Sequence, residues 1–146
     1  MISSDMRLEI RRVDPSLPLP AYNTPGAVAF DLYARVETAI GPKELVRIPS
    51  NLIVSLPAGY TLLVASRSST PRKGLLVPHG IGVIDQDFRG PEDEVAIQLY
   101  NFTDRTVTVR RGERIAQALI MPIKRCVLTE KVSQETDNRG GFGSTG

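Results

Sequence analysis

The chain has 146 residues, of which 41% are hydrophobic and 23% are charged, and its formal net charge is +2. These values predict one globular domain with its own core, and so small a charge gives no reason to expect a nucleic-acid or membrane partner. No apolar run is long enough to span a membrane, and residues 1–12 are too charged for a signal peptide. Cys126 is the single cysteine, which excludes an internal disulfide and favours a reducing, cytoplasmic location.

Short segments rich in Val, Ile, Leu and Thr, separated by turn residues, predict strands along most of the chain. They are residues 7–13, 27–34, 45–49, 51–56, 60–66, 94–102, 105–111, 114–123 and 126–132. Residues 68–73 predict one helical turn, with Ser69 or Thr70 as the cap and Pro71 at the first helical position. This pattern predicts an all-β sandwich, jelly roll or barrel over residues 1–132. Residues 133–146 are polar and glycine-rich, and we expect a flexible arm there.

The stretch GIGVIDQDFRG, residues 80–90, combines an apolar run with two carboxylates, Asp85 and Asp87. Residues two apart in a strand point to the same face, so these carboxylates repel unless they are held apart or used. A hairpin turn is one interpretation, because Asp, Gln and Gly suit turns and Arg89 could neutralise Asp87. A catalytic or binding role for the aspartates is the other.

Polar side chains also interrupt other predicted strands and loops. Asp31 lies in the apolar stretch AVAFDLYA, where it could pair with an arginine or serve a site, and Gln117 lies in GERIAQALI, where its amide needs a backbone or ligand partner. The stretch SRSS carries Arg67, Ser68 and Ser69, which suit anionic oxygens. The C-terminal RGGFGSTG is either a disordered tail or a phosphate cradle with Phe142 available to stack on a flat ring.

Taken in order, these five stretches resemble the five motifs of the trimeric dUTPase family, over nearly the whole chain from Ala27 to Gly146. The resemblance implies a β-rich, jelly-roll-like (β-clip) subunit that assembles as a homotrimer with active sites between subunits. The C-terminal arm of one subunit would close over a site built by the other two. The implied reaction is hydrolysis of dUTP to dUMP and pyrophosphate with Mg²⁺, which keeps uracil out of DNA and supplies dUMP for dTMP synthesis.

The resemblance also implies a role for each matching residue. Asp85 would be the general base that activates water for attack on the α-phosphorus, and Asp31 would hold a water of the magnesium shell as an outer-sphere ligand. The remaining implied contacts are with dUTP itself. Those to the phosphates are Arg67, Ser68, Ser69, Gln117, Arg139, Gly143, Ser144 and Thr145; those to the nucleoside are His79, Gly82, Val83, Ile84, Phe88 and Phe142.

The sequence departs from the family pattern at four places. Phe88 replaces the usual Tyr, and Arg139 stands three residues before Phe142 instead of five, so that Arg35 or Arg72 could be needed in its place. Residues 89–95 are about three longer than expected and predict a surface bulge. His79 replaces an Asn of some relatives, and a plain surface-loop histidine is the alternative to uracil contact.

Two other functions compete with dUTP hydrolysis. The related dCTP deaminases, some of which also act as dUTPases, share the fold and an RSS loop. Their chemistry needs a glutamate at the position of Gln98, and a glutamine cannot shuttle the protons. The second alternative is a β-trimer that binds nucleotides without turning them over.

Overall fold

The computed structural model describes residues 6–144 and consists almost entirely of strands in that range. The strands are β1 (Glu9–Arg12), β2 (Phe30–Tyr33), β3 (Thr38–Ile40), β4 (Leu45–Pro49), β5 (Leu52–Ser55), β6 (Tyr60–Ala65), β7 (Leu75–Leu76), β8 (Ile81–Ile84), β9 (Ala96–Asn101), β10 (Val107–Val109) and β11 (Arg114–Pro122). One 3₁₀ turn, Thr70–Lys73, lies between β6 and β7. No helix within residues 6–144 has the length and apolar character needed to cross a membrane.

The strands form four antiparallel sheets around one core. The largest has the order β2-β11-β6-β8, a second has the order β4-β9-β7, and β1-β5 and β10-β3 form two-stranded ribbons. Leu32, Ile48, Leu62 and Ile97 come from different strands and are each at most 1% exposed. The all-β fold expected from the short-strand pattern is therefore confirmed, as is the β-rich subunit that the family resemblance implies.

The register of the four-stranded sheet decides which polar side chains share a face. Gln117 of β11 pairs with Asp31 on one side and with Ala65 on the other, and Ala65 pairs with Ile81. Directly paired residues on neighbouring strands point the same way. The adjacent row, Phe30, Ala118 and Val64, is buried, so Asp31 and Gln117 lie side by side on the outer face of this sheet.

The expected turn after β6 forms with Ser69 at the cap position, but Pro71 lies one position later than predicted. Ser69 occupies the N-cap position without a side-chain hydrogen bond, and Pro71 is the second helical residue instead of the first. The hydroxyl of Thr70 accepts a hydrogen bond from the Arg67 backbone N–H at 3.0 Å. Gly74 ends the turn at φ 82°, in the left-handed region that glycine adopts without strain. Arg67, Ser68 and Ser69 are thus carried by a hydrogen-bonded loop.

The predicted bulge at residues 89–95 is a surface loop over only part of its length. Pro91 and Glu92 are exposed, but the Glu94 carboxylate turns inward and accepts hydrogen bonds from Arg35 at 2.8 and 3.0 Å. Glu94 also accepts the backbone N–H of Asn51 at 2.8 Å. Arg35 is therefore engaged by Glu94, which makes it a poor substitute for Arg139.

The strand predicted at residues 126–132 is absent from the structure. Val127, Leu128 and Val132 are 88%, 94% and 98% exposed, and Cys126 is exposed beside them. The bond from the Ile123 N–H to the Gly59 carbonyl, 2.8 Å, is the last backbone link from this end of residues 6–144 to the sheets. The composition is that of a strand, but a strand needs a partner edge, and this segment has none within residues 6–144.

Candidate active site

One group of the predicted site residues meets at the end of β6 that leads into Arg67. The Arg67 Nε donates to Asp31 Oδ1 at 2.9 Å, and Arg67 Nη1 approaches the Ser69 hydroxyl at 3.4 Å. Asp31 is only 12% exposed, so its charge needs this partner. The Gln117 amide donates to the Ser66 carbonyl at 3.0 Å. Asp31 is therefore paired with an arginine, as one of its two interpretations expected, and Ser68 is exposed beside this cluster.

Arg114, which sequence reasoning missed, belongs to the same cluster. Its Nη1 donates to Asp31 Oδ2 at 3.4 Å, and its carbonyl accepts from Lys73 Nζ at 3.3 Å. Lys73 also pairs with Glu113 at 2.8 Å. Burial alone would raise the pKa of Glu113, but the Lys73 hydrogen bond and the Arg110 backbone N–H outweigh it and lower that pKa. An exposed arginine at the start of a strand is common. Its position in the GERIAQALI stretch is therefore the single sequence feature that points to Arg114.

The second group of predicted residues surrounds the turn after β8. Phe88 N–H donates to the Asp85 carbonyl at 3.3 Å, and the Gln86 side chain donates to the Tyr60 carbonyl at 3.0 Å. The Thr61 hydroxyl donates to the Ile84 carbonyl at 2.8 Å. These bonds fix the backbone of the turn and leave the Asp85 and Asp87 side chains exposed. The expected pairing of Asp87 with Arg89 is not formed, since no salt bridge within residues 6–144 includes Asp87.

Asp85 lines an open groove of about 610 Å³ that also contains two arginines. Arg89 comes from the loop after the turn, and Arg125 comes from the segment after β11. The groove is completed by Leu56, Ala58, Tyr60, Thr61, Val83, Ile84, Gln86, Asp87 and Ile123. Phe88 does not line it and is 38% exposed on the neighbouring surface. The groove therefore brings two carboxylates and two guanidinium groups into one concave surface, where a carboxylate could accept a proton from water.

β8 is an edge strand, which matters for what it can bind. Its partner is β6, and its other backbone edge has no strand beside it within the described residues. A Cβ at Gly82 would stand 3.2 Å from Val64 Cβ and 3.6 Å from the His79 ring, so glycine permits this close packing. His79 Nδ1 lies 2.8 Å from the Ile81 carbonyl and must donate to it. His79 thus braces the start of β8, at the far end from Asp85.

The two groups of site residues lie at opposite ends of β6. Ala65 pairs with Ile81 and Leu62 pairs with Ile84, so Asp85 lies beside Thr61, whereas Arg67 follows Ala65. Arg67 is six positions beyond Thr61, which in extended chain is a span of roughly 20 Å. A single chain therefore presents a cluster of hydrogen-bond donors around Arg67 and a groove around Asp85 at opposite ends of β6.

Comparison with known proteins shows the family of this chain. The family model described as dUTPase matches residues 16–146. The chain belongs to the dUTPase family.

Individual relatives agree with the family match. The deoxyuridine 5'-triphosphate nucleotidohydrolase of Dictyoglomus turgidum is 38% identical over 97% of this chain and 99% of its own length. The one from Anaeromyxobacter is 39% identical over 95% and 97%. The crystal structure of the Streptococcus mutans dUTPase superposes with a TM-score of 0.73 at 32% identity, covering 85% of this chain and 98% of that one. A Staphylococcus phage 80alpha dUTPase mutant with dUpNHpp has the same fold, with a TM-score of 0.83 at 23% identity over 96% and 98% of the chains.

The arm residues expected from the dUTPase motifs stay away from both groups in a single chain. Phe142 is fully exposed and adopts φ 54°. Arg139 Nη1 donates to the neighbouring Gly140 carbonyl at 3.3 Å, and Gly143 and Ser144 are exposed. Thr145 lies outside the described residues. The chain alone therefore does not bring the arm to Asp85 or to Arg67.

The donor set for a metal ion is sparse. Residues 6–144 hold no group of three or more His, Cys, Asp or Glu side chains that could bind an ion by themselves. Both oxygens of Asp31 already accept hydrogen bonds from guanidinium groups. Mg²⁺ commonly binds through substrate phosphates and water with few protein ligands. The residues present thus fit a magnesium ion that arrives with a triphosphate better than one in a protein cage.

Proposed function

We propose that the protein hydrolyses dUTP to dUMP and pyrophosphate with Asp85 as the general base. Membership in the dUTPase family gives the reaction, and the exposed Asp85 carboxylate in the groove beside β8 is the observation that carries its assignment. Asp85 accepts a proton from a water molecule as that water attacks the α-phosphorus. A well-placed base contributes about 10²–10⁴ in rate, and the remainder comes from orientation and the exclusion of bulk water.

Uracil binds along the free edge of β8. Gly82, Val83 and Ile84 offer backbone N–H and C=O groups there, which suits the alternating donors and acceptors of a uracil edge. The exchanged donor and acceptor of cytosine leave buried polar groups unpaired, which is costly. A narrow slot also excludes the thymine methyl group. Phe88 packs under the deoxyribose, Phe142 stacks on the base, and His79 contributes by bracing the strand.

The triphosphate binds at the Arg67 cluster. Cationic and neutral donors lie on one surface there, from Arg67, Ser68, Ser69 and Gln117. When the C-terminal arm closes, it adds donors from Arg139, Gly143, Ser144 and Thr145. Mg²⁺ supplies charge stabilisation on the phosphates when it is bound. Asp31 would hold a water of the metal's shell as an outer-sphere ligand, which its contact with Arg67 on this surface supports.

The complete site forms in a homotrimer. The roughly 20 Å between Asp85 and Arg67 along β6 supports an arrangement in which the two come from different copies. Apolar side chains on the outer face of the large sheet support such packing, since Ile81, Val83 and Met121 are 53%, 60% and 39% exposed. The apolar side chains of Val127 and Leu128, in the segment after β11, are also exposed and would be buried by such packing. The arm of a third copy closes over the site and excludes water.

A substrate panel tests this function directly. The purified protein is incubated with Mg²⁺ and dUTP, UTP, dCTP or dTTP, and dUMP, pyrophosphate and ammonia are measured along with the mass in solution. We expect fast pyrophosphate release from dUTP alone and the mass of a trimer. Asp85→Asn should retain binding of a dUTP analogue and lose turnover by about 10²–10⁴. Full activity in that variant would exclude Asp85 as the base.

The deaminase alternative has little structural support. Gln98 lies on β9, where it pairs with Arg47 of β4 in the three-stranded sheet. Asp85 and Arg67 instead follow β8 and β6 of the four-stranded sheet. Release of ammonia from dCTP would overturn the assignment. A binding protein without turnover would bind dUTP in the same panel and release no pyrophosphate.

A further inference from the structure

A second concave surface lies between the 3₁₀ turn and the loop that joins β9 to β10. It is an open pocket of about 420 Å³, a volume within the usual range of small-molecule sites. The turn contributes Arg72 and Gly74 to its lining, and the loop contributes Thr103, Arg105 and Thr106. Among the described residues, none of those proposed above to bind dUTP lines it, so the proposed function leaves this loop pocket without an occupant.

The two walls of the loop pocket are held together by the protein itself. The Phe102 N–H donates to the Gly74 carbonyl at 3.0 Å. A Cβ at Gly74 would stand 2.5 Å from Thr103 Cγ2, so only glycine allows the walls to approach this closely. The side chain of Asn101, which is fully buried, donates to the Arg105 carbonyl at 2.7 Å and accepts from the Thr103 hydroxyl at 2.7 Å. The backbone that carries Arg105 is therefore fixed before any ligand binds.

Two guanidinium groups of the loop pocket have no acidic partner. Neither Arg72 nor Arg105 forms a salt bridge within residues 6–144, and no acidic residue lines the pocket. Nearby acidic side chains are already engaged by lysines, Glu113 by Lys73 at 2.8 Å and Asp104 by Lys43 at 3.7 Å. The loop pocket therefore keeps an uncompensated positive charge, which favours an anionic ligand.

We propose that the loop pocket is a binding site for a diphosphate group, with Arg72 and Arg105 as its charged contacts. A guanidinium binds phosphate oxygens through paired, charge-assisted hydrogen bonds. Two such groups without acidic partners match a ligand that carries two adjacent anionic centres, and the Thr106 hydroxyl adds a neutral donor. The proposal does not depend on dUTP hydrolysis. Inorganic pyrophosphate and nucleoside diphosphates share the recognised group.

Backbone amide signals in nuclear magnetic resonance report on this pocket by position. Pyrophosphate is titrated into the full-length, ¹⁵N-labelled protein without Mg²⁺, and we expect the amides of Thr103, Arg105 and Thr106 to shift along one binding curve. Arg72→Gln and Arg105→Gln should each raise the midpoint of that curve about tenfold, because charge-assisted hydrogen bonds are lost. Orthophosphate should bind about tenfold more weakly than pyrophosphate, since it offers a single anionic centre.

Arg7→Gln is the matched control, because it removes the same charge from an exposed arginine outside the pocket. Its midpoint should equal that of the wild type. If Arg72→Gln and Arg105→Gln behave as Arg7→Gln does, or if the loop amides do not shift, the proposal is wrong. Equal midpoints for orthophosphate and pyrophosphate would also contradict recognition of a diphosphate. Unchanged amide signals far from the loop confirm that each variant is folded.

A parallel titration with ADP distinguishes the two sources of the diphosphate group. Equal midpoints for ADP and pyrophosphate would show that the diphosphate alone is recognised. A lower midpoint for ADP would show that the pocket takes a nucleotide, for which Phe102, 38% exposed and part of the lining, offers an apolar surface. A response to pyrophosphate alone would restrict the site to the inorganic ion.

Turnover of dUTP separates the loop pocket from the proposed active site. Arg105→Gln should leave kcat/KM for dUTP within about twofold of the wild-type value, because Arg105 is not among the dUTP contacts. A loss as large as that of Ser68→Ala would mean that the pocket is part of the active site, and the proposal would be wrong. If the wild type does not hydrolyse dUTP but the loop amides still shift with pyrophosphate, the proposed function fails and the diphosphate site stands.

Discussion

The two ends of β6 are built differently. At the Arg67 end, Asp31, Glu113 and the Ser66 carbonyl restrain two arginines, a lysine and a glutamine before any ligand is present. At the Asp85 end, hydrogen bonds fix the backbone of the turn, but the carboxylate stands free in an open groove. Electrostatic binding of a charged ligand gains from groups that are oriented in advance. The chain therefore orients the polar side chains at its Arg67 end by itself and leaves the Asp85 carboxylate exposed.

Mixing two inactive variants tests whether the two ends belong to different copies. Asp85→Asn and Ser68→Ala each remove one end, and we expect each homotrimer to lose most of its activity. Subunits mixed in equal amounts, unfolded together and refolded, should recover activity in about one site in four by random assembly. The assay is dUTP turnover at fixed total protein. No recovery at all would mean that one chain supplies both ends of its own site.

Removal of the arm should leave both ends in place and prevent their enclosure. We expect deletion of residues 136–146 to abolish most dUTP turnover, because the site stays open to water and loses the Phe142 and Arg139 contacts. Mass and thermal melting should stay close to those of the full chain, since these residues make no backbone bond to the sheets within the described range. A truncated protein that falls apart into monomers would assign the arm a structural role.

Acid should loosen the Arg67 end through Glu113. The folded-state pKa of Glu113 lies below its ordinary value of 4.5, so its contribution to stability is fully present above pH 4.5 and is lost as pH falls through the lower value. In Glu113→Gln the melting temperature should therefore depend less on pH below about 5. The substitution should lower the free energy of unfolding by less than about 1 kcal/mol at pH 7. Asp104→Asn, whose exposed pair with Lys43 spans 3.7 Å, serves as the control and should leave the slope unchanged.

Phe88 should matter least, because it is exposed at 38% and lies outside the groove in a single chain. Phe88→Tyr restores the usual residue of the family, and the added hydroxyl can remain in solvent. We expect kcat/KM for dUTP to change by less than about threefold, with discrimination against UTP preserved because an aromatic face excludes the 2′-hydroxyl by shape. If the wild type hydrolyses UTP and Phe88→Tyr does not, Phe88 relaxes the discrimination against UTP.

The sequence predicts the strands better than it predicts their partners. Alternation and turn residues locate β4, β6 and β11 within one or two residues. The two-residue β7 and three-residue β3 are too short to leave a periodic signal, and β7 exists because Asn101 pairs with Leu75. The segment at 126–132 has the composition of a strand and is exposed, because pairing is a property of the assembled surface and not of the local sequence.

The candidate site shows the same limit. Four site residues are recognisable as polar side chains in or beside apolar runs: Asp31, Arg67, Asp85 and Gln117. The family motifs assign all four to one site. Arg114 carries no such mark, because its importance arises from a contact 83 residues away along the chain. Likewise, Glu94 reads as part of an acidic loop, and only the fold shows that it engages Arg35. Long-range ion pairs are the part of the site that local patterns do not encode.

Cys126 is positioned as a labelling site for experiments on the arm. It is the single cysteine of the chain, it is exposed, and it lies three residues beyond the last backbone bond to the sheets. A thiol-reactive fluorophore would therefore attach once per chain, at the start of the exposed segment that leads to the C-terminal residues. The native sequence thus allows arm movement to be followed by fluorescence without engineered substitutions.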